Sequence, residues 1–295
     1  MNKPKCPNCS AKKIPPESRP RTIVSGSYYR KSDRKRIRTF KCLDCEKYFG
    51  SASRNRCYRQ NKRQLNETIR TLFASGLSQR RLAKILKISR TTVARKLVFI
   101  GQESLRKLDE SNQNHPKAAL IEFDDLETFE HTKCRPISVT LAVESRTRRI
   151  LGFEVARMSA KGRIAKKSFK KYGRLKDQRS AARAKLFSRL TEIVEPDAII
   201  KSDENPYYPL TVKRFFPGAT HLGFKGQRGA ITGQGELKKI GYDPIFSLNH
   251  TCAMFRANVN RLFRKTWCTT KKAERLALHL AIYAYYHNHS LIGQK

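Results

Sequence analysis

Acidic residues are scarce in this chain: 24 Asp and Glu stand against 63 Lys and Arg, a formal net charge of +39. So lopsided a balance points away from basic partners and towards a polyanion, nucleic acid first. Long apolar runs are also missing. No stretch approaches the roughly 18 apolar residues of a membrane helix, so no membrane span is expected. Residues 1–5 run straight towards cysteine without an apolar segment, which argues against a secretory signal. The eight cysteines are therefore expected in a reducing compartment, where metal ligation is commoner than disulfides. What is present suffices for two or three domains in 295 residues, with 39% hydrophobic residues to build at least one core. The positive excess is spread: residues 1–110 hold 29 basic and 8 acidic residues, so both halves can touch a polyanion.

The first motif is a pair of thiol knuckles. Cys6-Pro7-Asn8-Cys9 and Cys42-Leu43-Asp44-Cys45 each offer two sulfurs from one tight turn. That spacing reads as a four-thiolate zinc ribbon, with short strands between the knuckles, over residues 1–50. Cys57 falls outside the pattern and reads as a small packed residue. A basic linker follows over residues 46–62, and then a helical pattern with Leu65, Ile69, Leu72 and Phe73 on one face. Ser78 is placed to cap a second helix striped by Leu82, Ile85 and Leu86; Ser89 is placed to cap a third. Two helices across so short a turn predict an all-α helix-turn-helix over residues 60–108. Its third helix would present Arg90, Thr91, Thr92 and Arg95 to the major groove of DNA. Residues 101–117 are polar and read as a linker.

From residue 118 the pattern changes to strands. Apolar runs at 119–123, 137–143 and 149–155 predict three strands, the last two joined by a turn at 145–148. The lysine-rich stretch 161–176 reads as a loop or helix able to contact phosphate. A helix at 180–194, a strand at 198–201, a helix at 208–216, a strand at 219–224 and helices at 248–265 and 272–288 complete the chain. Strands and helices in this order predict an α/β domain with a mixed sheet over residues 118–295.

Two of these strands end in acid. Ile121-Glu122-Phe123 runs into Asp124-Asp125, and Ile199-Ile200-Lys201-Ser202 runs into Asp203-Glu204. If the two strands are neighbours, Asp124 and Asp203 emerge together. Two such carboxylates repel unless a cation joins them, and magnesium or manganese suits oxygen ligands. Cys134, Cys252 and Cys268 lack ligand spacing; His221, His250, His287 and His289 read as structural or surface histidines, and Trp267 as a packed side chain.

In Phe123-Asp124-Asp125, Ser202-Asp203-Glu204-Asn205, Leu248-Asn249-His250, Arg256, Arg261-Leu262-Phe263-Arg264-Lys265-Thr266 and Tyr286-His287-Asn288, the chain resembles the DDE-class transposases of bacterial insertion sequences. The likeness runs from the ribbon to the last helix. It implies a ribonuclease-H-like catalytic domain behind the ribbon and the helix-turn-helix, with Asp124 and Asp203 as the first two catalytic acids. It also implies DNA partners, namely terminal inverted repeats and a target, a homo-oligomer that pairs two ends, and a bacterial cytoplasmic, nucleoid-associated setting. Asn249 stands where many relatives carry Glu; it is favoured as third ligand, with Glu236 its rival. Arg256, Arg264 and Lys265 are candidate phosphate clamps along one helix. Two other readings stay open: a DNA-binding regulator with an inactive second domain, and a nuclease that cuts without joining.

Overall fold

The computed structural model describes residues 4–11, 21–31, 34–58, 60–225, 243–263 and 268–293. The expectations placed on Glu236, Arg264, Lys265 and Trp267 lie outside these residues. The chain divides into two compact units, Met1–Glu67 and Thr68–Lys295.

The first unit opens with the short helix α1 (Pro7–Ala11), which begins inside the first thiol knuckle and carries Cys9. An antiparallel sheet comes next, ordered β1 (Thr22–Arg30), β2 (Lys35–Cys42), β3 (Tyr48–Gly50). Ile37, Phe40 and Cys42 face inward on β2, whereas β1 is exposed along most of its length. So thin a core needs a cross-link from the cysteines.

The second unit begins with three helices, α2 (Asn66–Ala74, from its third residue), α3 (Gln79–Ile85) and α4 (Arg90–Gln113). Ser78 accepts from the Arg81 amide at 3.3 Å and Ser89 from the Thr92 amide at 3.1 Å, so both expected caps are made. Each cap satisfies an amide that the first helical turn leaves without an internal partner. Leu82 is fully buried, but Ile85 points outward, and Ala83 fills the inner face instead.

The expected linker at 101–117 is corrected: α4 runs on unbroken to Gln113. Its inward stripe there is Gly101, Ser104, Leu108 and Asn112, with one apolar member, so hydrophobic periodicity does not reveal it. Gly101 lets α4 lie directly on α9 (Ala273–Tyr286): a Cβ there would stand 2.7 Å from that of Leu278. The Asn112 amide donates to the backbone oxygens of Ile150 and Leu151 at 3.1 and 3.0 Å. The helix that begins in the turn motif thus ends on the sheet.

That sheet has five strands in the order β6-β5-β4-β7-β8. They are β4 (Ala118–Phe129), β5 (Pro136–Glu144), β6 (Ile150–Arg157), β7 (Val194–Asp203) and β8 (Thr220–Phe224). The first three pair as an antiparallel meander; β7 pairs parallel to both β4 and β8. Between β6 and β7 lie α5 (Ile164–Tyr172), which realises the lysine-rich stretch as a helix, and α6 (Arg179–Leu190). α7 (Tyr208–Phe215) joins β7 to β8, and α8 (Phe246–Asn258) precedes α9.

Successive residues of β4 point to opposite faces. Phe123 packs against Phe187 of α6 and Tyr208 of α7, with ring centroids 4.9 and 4.7 Å apart. Glu122, fully inside on the other face, accepts from the Ser145 hydroxyl and from the Leu248 amide at 2.7 Å, fastening α8. Helices therefore cover the sheet on both sides. Among the described residues no helix is long and apolar enough to cross a membrane.

Candidate active site

The paired register of β4 and β7 runs Leu120↔Ile199, Ile121↔Ile200, Glu122↔Lys201. Two residues further along each strand stand Asp124 and Asp203. The parallel pairing therefore brings the two acids to adjacent positions. Asp203 is the last residue of β7, as expected. Asp124 does not end its strand: β4 continues to Phe129, with Asp124 opposite Leu141 of β5. An antiparallel ladder uses backbone groups alone, so Asp124, Asp125 and Glu127 stay in the strand that their side chains argued against.

Both acids are half-buried. Burial, and then the facing charge of Asp203, push the Asp124 carboxyl up to about 6. Asp203 is raised as well, by burial first and by the charges of Asp125 and Glu204. Two carboxylates that resist ionising side by side fit a divalent cation, and their oxygens suit magnesium or manganese.

Asp124 is held from two sides. The Tyr208 hydroxyl donates to its Oδ1 at 3.0 Å, and the Asp125 amide donates to the same oxygen at 2.6 Å. Burial keeps the Tyr208 phenol protonated far above its usual range, with the Asp124 charge adding to the effect, so it remains a donor. The Arg183 guanidinium lies 5.0 Å over the Tyr208 ring and 3.7 Å from Asp125 Oδ2. The Asp125 side chain is thereby committed to α6 and to the Thr140 hydroxyl, and Glu204 is exposed. Tyr208 and Arg183 gave no signal in the sequence, since their partners lie 84 and 58 positions away.

The third position is less direct. Asn249 is exposed near the start of α8, and its amide donates to Asp243 at 2.9 Å. One turn on, Cys252 feels the Asp124 charge, and burial pushes its thiol up to about 12. Residues three apart share a helix side, so Asn249 and Cys252 share one on α8. Arg256, a further turn along and half-exposed, shares it. The expected helix to residue 265 stops at Asn258, where Val259 turns extended, so Arg261 lies beyond the helix.

The histidines have structural partners. His221 bonds Ser202 Oγ at 2.9 Å, His250 lies 3.3 Å from an Arg148 guanidinium nitrogen, and His287 reaches the Arg148 carbonyl at 3.0 Å. At the start of α4, Arg90, Thr91 and Arg95 are exposed and Thr92 is half-exposed, its hydroxyl 2.8 Å from that of Ser89.

The second site is in the first unit. The sulfurs of Cys6, Cys9, Cys42 and Cys45 lie within 4.8 Å of one another, the one such cluster of candidate ligands among the described residues. Cys6 and Cys45 are 3.6 Å apart and Cys9 and Cys42 3.8 Å, and none is in a disulfide. A tetrahedral ion with metal–sulfur bonds of about 2.3 Å spaces its sulfurs by about 3.8 Å, so the four could hold structural zinc. The Lys47 amide draws the Cys45 thiol down to about 6, while hydrogen bonding to Cys45 and burial hold Cys9 at about 12. Mixed protonation of this kind is what a bound cation resolves.

Fold and sites together define a mixed α/β protein with two acids on adjacent parallel strands and a separate four-thiol cluster. Neither protein-family models nor curated proteins give a match to this chain.

Proposed function

We propose that the chain is a DNA transposase of the DDE class, with a ribonuclease-H-like sheet in its second unit and a zinc ribbon in its first. The observation that carries this reading is the adjacency of Asp124 and Asp203 on β4 and β7, in the same compact unit as the Ser78- and Ser89-capped helices. The sheet order supports it: an antiparallel meander extended by two parallel strands. So does the net charge of +39, which favours a phosphate-rich partner.

In this reading Arg90, Thr91, Thr92 and Arg95 read the element's terminal repeats. Asp124, Asp203 and an oxygen from Asn249, or from Glu236, would hold magnesium or manganese. Bound there, such ions supply an activated nucleophile and charge stabilisation at the leaving oxygen. The protein's own share is positioning. Tyr208 and the Asp125 amide fix the Asp124 carboxylate, Arg183 fixes both Tyr208 and Asp125, and basic side chains hold the phosphate backbone. Water opens the phosphodiester at the element end, and the freed 3′ hydroxyl then attacks target DNA. Pairing two ends requires at least two copies.

The test incubates the purified chain with magnesium and labelled element-end DNA, beside Asp124→Ala and Asp203→Ala. Nicking and joining are expected from the wild type, with a loss of about a hundredfold or more in each variant, the scale of removing a transition-state-stabilising group. Equal activity in Asp203→Ala sinks the reading. Binding without cutting favours the regulator, and cutting without joining favours a nuclease.

A further inference from the structure

One cleft of the second unit takes no part in the acid pair. It has a volume of about 620 Å³ and lies where the turn motif meets the segment after α8. Its walls bring together Arg80 of α3, Arg90 of α4, Arg261 beyond α8 and Lys271 just before α9. Among the described residues that line it, none is acidic. The charge is therefore concentrated rather than paired across the cleft.

Two of the cations are oriented. The Arg261 guanidinium donates to the Thr269 carbonyl at 3.2 Å, and burial lowers its affinity for the proton. Lys271 Nζ donates to the Thr269 hydroxyl at 3.1 Å. One short loop thus holds both, while Arg80 and Arg90 arrive exposed from the other wall. Ser78 also lines the cleft, its oxygen accepting from the Arg81 amide, and the charge comes from the four cationic side chains. Guanidinium forks and a lysine point charge converging without a carboxylate are a phosphate-recognising set.

We propose that this cleft grips a backbone phosphate of the DNA lying on the turn motif, so that the element end is clamped jointly by the helices that read it and by the loop that leads into α9. This rests on the DNA-binding part of the function proposed above. It adds a specific consequence: Arg80, Arg261 and Lys271, which stand outside the base-reading set, hold the duplex without regard to sequence and fix it relative to the acid-bearing sheet. α4 runs into that sheet through Asn112, and α9 lies against α4, so both walls belong to one packed body.

The test uses the full chain, with Arg80→Gln and Lys271→Gln alone and combined; both side chains are exposed, and circular dichroism checks that each variant folds. Affinity for a duplex of unrelated sequence and for an element-end duplex is measured across a salt series. Each substitution is expected to flatten the slope of log affinity against log salt by about 1, equally for both duplexes. Lys213→Gln, on α7, serves as the control outside the cleft. An unchanged slope in the double variant, or a loss confined to one duplex, overturns the proposal. Calorimetric titration with inorganic pyrophosphate separates its failure from failure of the DNA reading. If the wild type binds no duplex yet holds pyrophosphate through Arg80 and Lys271, the cleft is an anion site but the backbone assignment is overturned. If it holds neither, the cleft itself is overturned.

Discussion

At the scale of single residues, the proposed function rests on the acid pair. Its strand-end signature was legible for Asp203, because an apolar run stops at a carboxylate. Asp124 was legible as an acid but not in its setting, since nothing local shows that β5 carries the ladder past it. The residues that position Asp124 were not legible at all: Tyr208 and Arg183 reach it only through tertiary packing. The raised Asp124 pKa yields a signed expectation. With a folded value of about 6 against an ordinary 3.8, the folded state binds this proton more tightly than the unfolded chain. The resulting stability is fully present below about pH 4 and is lost as pH rises through about 6. Above that pH the Asp124 carboxylate is free to take the cation of the proposed function, whereas at pH 5 a cation must displace its proton. Magnesium or manganese should therefore raise the melting temperature more at pH 8 than at pH 5, and the increment should vanish in Asp124→Asn. Equal shifts at both pH values, read by differential scanning calorimetry, would show that the ions bind elsewhere.

Among elements, α4 is the one whose role differs most from its sequence. Its first two turns carry the legible signals, a serine cap and exposed Arg90, Thr91 and Arg95. Its second half looks like a linker because it buries glycine, serine and asparagine where a hydrophobic stripe is usually sought. These residues are small or amide-bearing for a reason. Gly101 admits Leu278, and Asn112 caps backbone oxygens of β6, an edge strand. Most other elements were readable to within a few residues because their apolar faces meet a single large core. Close contact at Gly101 makes a sharp prediction. An added side chain meets the Cβ and the Cα of Leu278 at 2.7 and 3.1 Å, and backbone yields less than a side-chain tip. Gly101→Val should destabilise the second unit by about 1–3 kcal/mol, the usual range for overpacking. On the proposed function it should also weaken duplex binding, because α4 carries Arg90, Thr91, Thr92 and Arg95 and reaches the sheet through Asn112. Gly162→Val, at a site with nothing nearby but a positive φ, separates the two causes: it costs backbone strain without touching α9. Thermal unfolding and duplex affinity measured on both variants check this; unaltered binding in a destabilised Gly101→Val would detach recognition from the α4–α9 contact.

For the whole molecule, the two compact units have different sources of stability. Thr68–Lys295 has an extensive core of aromatic and aliphatic side chains under α6 and α7. Each fully buried side chain of that kind contributes about 1.5–3 kcal/mol. Among the described residues, Met1–Glu67 buries few: Ile37, Phe40 and Ala52 beside Cys6 and Cys42. Its four sulfurs are gathered within 4.8 Å although ionised thiols repel, so zinc held there would make the first unit's folding and its metal binding one free energy. Removing metal should then act on one unit alone. A strong chelator, or Cys9→Ser, is expected to abolish the ordered β1–β2–β3 sheet while the second unit keeps its own unfolding transition. Amide hydrogen exchange distinguishes the outcomes peptide by peptide. Protection should disappear in residues 21–50 and persist in β4, β5 and β7. Restoring zinc to the wild type should recover protection, whereas Cys9→Ser should recover it only in part, having three thiols in place of four. Loss of protection in both units together would mean that the sheet bearing Asp124 and Asp203 also depends on the ion. Protection unchanged in residues 21–50 would mean that the cysteine cluster is not what holds the first unit.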